Sequence, residues 1–267
     1  MSRTLLLALT SICILAAVAG SGDAAEWQWA VDREGGKGRT FLWIPPHCKH
    51  ARGVIMGQQV ILEARFFDDP VIRAAAEKED LAMVFNVPAI FGYESFDPTL
   101  DGDQKLKSLM DQLATVSGYA ELAQAPILTI GHSGGAIFAW NLAWWHPERC
   151  FGVIGLHSAP IEAPRYKDTE KKPPTPSIDY VPVLNITGQY ETWGEYERTL
   201  EWHWRWCRGS LLAMRGIQKF AYVSELVGPG YTHFGWDDAH ARQVAMFIQK
   251  AAHYRIPADP PPVGQTP

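Results

Sequence analysis

Short apolar runs alternate along the chain with segments whose hydrophobic positions recur every three to four residues. The runs at 52–59, 81–88, 125–130, 151–157, 181–188 and 220–226 are rich in Val, Ile, Leu and Phe, which predicts strands buried on both faces. Between them, 69–79, 105–117, 136–145, 195–212 and 237–254 have helical length and spacing. In 105–117 the residues Leu106, Leu109, Met110 and Leu113 fall on one helix face. Ahead of these, 26–31 and 39–44 flank the Gly35-Gly36-Lys37-Gly38 turn and read as an opening antiparallel pair, ended by Pro45-Pro46. Strands alternating with helices point to the α/β class and a mostly parallel sheet.

At the junction of the 125–130 strand and the 136–145 helix stands Gly131-His132-Ser133-Gly134-Gly135. A G-x-S-x-G turn placed between a strand and a helix holds its serine in a strained backbone conformation. The positions two before and two after must then be small, as Gly131 and Gly135 are. Ser133 is therefore the candidate nucleophile. A carbonyl attacked there needs N–H donors for the developing oxyanion. The backbone of Gln58, or of Gln59 beside it, at the end of the 52–59 strand, and that of Gly134 after the nucleophile are the candidates.

The N-terminus changes the picture of where the chain works. Arg3, an apolar stretch from Leu5 to Val18, and small residues at Ala17-Val18-Ala19 and Ala24-Ala25 have the layout of a secretory signal peptide over 1–25. The expected location is secreted or periplasmic, with no membrane span in the mature chain. Beyond Cys13, this leaves Cys48, Cys150 and Cys207, an odd number that allows at most one intramolecular disulfide. The 267 residues carry a net charge of -5 and no basic stripe, which argues against a nucleic-acid partner, and 47% hydrophobic content suits one large core. One domain is expected over 26–255, followed by a Pro-rich tail over 256–267. The segment 89–103, with Phe91, Tyr93 and Phe96, is expected either to line the mouth of the site or to pack as an ordinary loop. The Pro- and Lys-rich stretch 158–180 reads as a mobile loop over the site or as a solvated excursion.

From about Arg52 to Arg255 the chain resembles the α/β-hydrolase superfamily. The elbow at Ser133, the Gly188-x-x-Glu191 turn and the late His233 carry the likeness. The resemblance implies a single α/β-hydrolase domain with helices on both faces of the sheet and no large lid domain. It implies a triad of Ser133, Glu191 as the acid after a late strand, and His233, with Glu162 as the alternative acid. The implied chemistry is serine carboxylic-ester hydrolysis through an acyl-enzyme, on carbohydrate-linked or small soluble esters, with no metal or organic cofactor. A serine peptidase of the same fold and a non-catalytic binding protein are the alternatives. His157 is read only as the end of a strand.

Overall fold

Parallel strands covered on both faces have no solvent side, so their sequences lose the polar alternation of an exposed sheet. In β3 (Gly53–Gln58), β5 (Ile127–His132) and β6 (Cys150–Leu156) every residue is buried. The structure, a computed structural model, describes residues 26–33, 36, 38–91, 96–161, 163, 164, 167, 168, 170, 177–191 and 199–256. Within them, β1 (Trp29–Asp32) and β2 (Arg39–Trp43) form the expected antiparallel pair, and β2 joins β4 (Leu81–Val87) antiparallel. From β4 onward the pairings are parallel, through β3, β5, β6, β7 (Val183–Tyr190) and β8 (Val223–Thr232). The order across the single eight-stranded sheet is β1-β2-β4-β3-β5-β6-β7-β8.

Helices close both faces. One apolar cluster sets α3 (Gly102–Ser117), α4 (Ala136–Trp145) and α5 (Thr199–Ile217) against the sheet. A second holds α1 (Glu63–Asp68), α2 (Pro70–Lys78) and α6 (Asp238–Arg255) against the other face. The α4 helix is apolar all round because it is enclosed, with Phe138, Trp140 and Leu142 wholly buried. No helix of the described residues is long and apolar enough to cross a membrane. No large lid domain stands over the sheet among the described residues. Instead, the backbone N–H groups of Lys167 and Asp168 donate to Asp97 Oδ2 (2.8 Å) and Thr99 Oγ1 (3.2 Å).

Several sequence expectations need correction. The helix expected over 69–79 is α2, and a further short helix, α1, precedes it; the two are separate because Asp69 leaves the helical conformation, accepts the Val71 N–H (2.9 Å) and places Pro70 at the first position of α2. The last strand starts later than 220 and does not open into a loop at 227. It runs through Gly228-Pro229-Gly230 to Thr232, and Pro229 is tolerated because β8 is an edge strand with a neighbour on one side only. Phe91 and Phe96 do not line an aromatic mouth. They are buried at 6% and 0% exposure, and Phe91 stacks on Phe138 of α4 at 5.2 Å. Tyr93, the signal segment, Lys171 to Pro174 and the tail after 256 lie outside the described residues. Cys48, Cys150 and Cys207 are each buried and free, so no disulfide forms among them. Burial pushes the Cys48 thiol up to about 12, which leaves it unreactive as a nucleophile.

Candidate active site

The carboxyl ends of β5, β7 and β8 open on the same edge of the sheet, so residues far apart in sequence meet there. Ser133 follows β5 directly, with φ +52, a value few side-chain-bearing residues adopt. The two flanking glycines are explained by contact. A Cβ on Gly131 would stand 2.5 Å from the Gly135 carbonyl oxygen and 2.6 Å from the Ala136 Cα. One on Gly135 would stand 2.4 Å from Val60 Cγ2. The turn can close only if both positions lack a side chain.

His233 Nε2 lies 2.9 Å from Ser133 Oγ, and His233 Nδ1 lies 2.8 Å from Glu191 Oε2. Ser133, His233 and Glu191 thus form one continuous hydrogen-bonded chain. Gly188 permits the approach, since a Cβ there would sit 2.4 Å from the Tyr231 carbonyl oxygen, where β8 bulges against β7 just ahead of His233. Burial works to raise the pKa of Glu191, but hydrogen bonds from His157 and His233, the charge of His157 and the Gly188 N–H outweigh it. They hold the carboxyl well below the usual carboxylate range. The alternative acid, Glu162, lies outside the described residues.

Four further hydrogen bonds tie the elbow to its surroundings. Glu63, buried at the start of α1, accepts the N–H of His132 (2.7 Å) at Oε1 and those of Val60 (3.1 Å) and Ile61 (2.8 Å) at Oε2. Burial raises its pKa against the lowering effect of those same amides. The His132 ring lies with Nε2 2.9 Å from the His233 carbonyl oxygen, an acceptor, so Nε2 carries the proton. Burial pushes His132 down to about 4, so this ring is neutral near pH 7. Glu63→Gln puts an amide NH2 where an acceptor is needed, leaving buried N–H groups unmet. It is expected to cost about 2–3 kcal/mol, read from urea unfolding.

On the oxyanion side, the amides at the end of β3 alternate in direction. Gln59 N–H donates to the Asn86 carbonyl (2.8 Å), so this amide faces β4 and is committed there. Successive strand amides point to opposite neighbours, and the Val54 N–H donates to the Pro126 carbonyl, so the Gln58 N–H faces β5 at the level of Ile130. The Gln58 side chain turns elsewhere, accepting the Phe91 N–H at 3.3 Å. Gly134 lies in the 3-10 turn Ser133–Gly135 that begins the elbow helix.

With this geometry in hand, comparison with known proteins is informative for the fold. An S-formylglutathione hydrolase from Agrobacterium tumefaciens is 15% identical, with 86% of this chain and 94% of that one covered at a TM-score of 0.52. A carboxylesterase from Mesorhizobium loti is 15% identical over 79% of this chain and 94% of its own, at 0.49. The chain has the α/β-hydrolase fold. No family model matches it. Epoxide hydrolase B of Mycobacterium tuberculosis is 38% identical over 52 residues, which span 20% of this chain and 14% of that protein.

In this α/β-hydrolase fold, sequence reasoning did not reach His157, Glu63 or the His132 ring. His157 stands at the end of β6 with φ +49, and its Nδ1 is 2.5 Å from Glu191 Oε1. Its only sequence signal is a polar residue closing an apolar strand. Glu63 had a local signal, an acid three residues after Val60 at a helix start, where it can reach back to free amides. Phe234 is 41% exposed and lies beside the His233 ring (5.1 Å between centroids).

Proposed function

We propose that this chain is a serine carboxylic-ester hydrolase that works outside the cytoplasm on small soluble or carbohydrate-linked esters. The observation that carries this reading is the unbroken Ser133–His233–Glu191 hydrogen-bond chain, with Ser133 at positive φ on a strand-to-helix turn. Its location rests on the signal-like segment over 1–25.

In this reading His233 Nε2 takes the Ser133 proton as Oγ attacks the ester carbonyl, while Glu191 orients the imidazole and stabilises its charged form. The Gln58 and Gly134 N–H groups meet the oxyanion. The tetrahedral intermediate collapses as His233 gives its proton to the departing alcohol, leaving an acyl group on Ser133. Water, deprotonated by His233, then attacks the acyl carbonyl and frees the acid and Ser133. The S-formylglutathione hydrolase of similar fold supports a hydrolytic reaction class.

A fluorophosphonate probe is expected to label Ser133, mapped by peptide mass spectrometry, and the protein is expected to release p-nitrophenol from acetyl, butyryl or dodecanoyl esters. The chain-length profile reports the acyl pocket, and a styrene oxide arm tests epoxide opening instead. No labelling, with ester release no faster than buffer, overturns the proposal.

A further inference from the structure

Glu191 is gripped from two sides, and the second grip comes from a residue outside the Ser133–His233–Glu191 chain. The His157 ring is 1% exposed, with Nδ1 2.5 Å from Glu191 Oε1 and Nε2 2.9 Å from the Gly235 carbonyl oxygen. A peptide carbonyl can only accept, and so can an ionised carboxylate. A neutral imidazole has one N–H, so two acceptors at its two nitrogens require a proton on each. The extra proton could sit on the carboxyl instead, but Glu191 already accepts the Gly188 N–H at Oε1 and faces His233 Nδ1 at Oε2. A carboxylate meeting three donors is favoured in its ionised form. We infer that His157 is a buried imidazolium that shares Glu191 with His233, a positioning residue that both anchors the acid and tempers the basicity of the catalytic histidine.

The inference rests on the triad reading and deepens it. Glutamate has one more rotatable bond than aspartate, and a second anchor at Oε1 fixes which oxygen faces His233. Electrostatically, a lone carboxylate would favour charged His233 strongly, whereas one paired with a cation favours it less. The other ionisable groups around the ring do not cancel this cation. His132 and His233 lie at 5.8 and 5.9 Å between centroids, and burial holds His132 neutral near pH 7. His240 of α6 is lowered, chiefly by burial, and the Cys207 thiol of α5 is pushed up by burial. Glu191 is the anion among these described neighbours.

His157→Asn keeps a donor near the Nδ1 position, tolerates positive φ and removes the charge. Its kcat/KM is expected to retain a bell-shaped pH dependence with the acid limb moved to higher pH by about 1–2 units, from Coulomb's law at ~6 Å and an effective dielectric of ~20–40. His157→Ala, which removes the anchor too, is expected to lower kcat about 10- to 100-fold as well. Nitrogen-15 NMR of the histidine rings in the wild-type protein needs no variant to fold and no turnover. Two protonated nitrogens on the His157 ring at pH 7 support the inference, and a single one overturns it. An unmoved acid limb in His157→Asn overturns it as well. Fluorophosphonate labelling of wild type separates the two failures: unlabelled protein defeats the triad reading, whereas labelled protein with an unmoved limb defeats the His157 inference alone.

Discussion

Ser133→Ala is expected to lower kcat/KM for a p-nitrophenyl ester by about 10,000-fold or more, leaving only what binding and oxyanion donors contribute. The change removes Oγ and its 2.9 Å contact to His233 Nε2 and little else. The melting temperature is expected to stay within a few degrees of wild type, because alanine keeps the Cβ and hence the same strain at φ +52. Ser133→Gly makes the complementary point: it is equally inactive but relieves that strain, and is expected to be more stable than the alanine variant by about 1 kcal/mol. Thermal unfolding beside the ester assay checks both. An alanine variant that still turns over ester would place the nucleophile elsewhere, whatever its stability.

The elbow was legible because everything that defines it is local. A strand, five residues and a helix lie in one continuous stretch, and the glycines that permit the turn are within two positions of Ser133. Glu191 and His233 were legible at one remove, through chain order after late strands. The His157 contact was not, because it exists only when the ends of β6 and β7 lie side by side, and 34 residues separate the partners. Glu63 was hidden for a related reason. Its carboxylate looks like a first-turn acid of a surface helix until β5 is packed beside it and the His132 N–H is delivered to Oε1. Turn-forming residues misled in the other direction: Gly228-Pro229-Gly230 has loop composition, yet the edge of a sheet accommodates it as strand.

Glu191→Gln is the second large effect, and it separates two consequences that Ser133→Ala does not touch. Catalytically, a glutamine at this place cannot stabilise charged His233 and can present its NH2 to Nδ1, selecting the tautomer that cannot accept the serine proton. A loss of about 10,000-fold in kcat is expected. Structurally, one amide oxygen replaces two carboxylate oxygens that face His157, His233 and the Gly188 N–H, so a buried donor goes unmet and a buried positive charge loses its partner. The expected cost is about 3–5 kcal/mol, the range for breaking a buried ion pair from one side. The pH dependence carries the sign. Glu191 is held below its unfolded value of about 4.3, so its stabilisation is complete above that value and is lost as pH falls through the lower folded one. Unfolding free energy of wild type is therefore expected to rise with pH on the acid side of about pH 5, and the Gln variant is expected to show a shallower rise there. A variant that keeps both activity and the acid slope would move the triad acid to another residue, and Glu162→Gln would then be the change to show the loss.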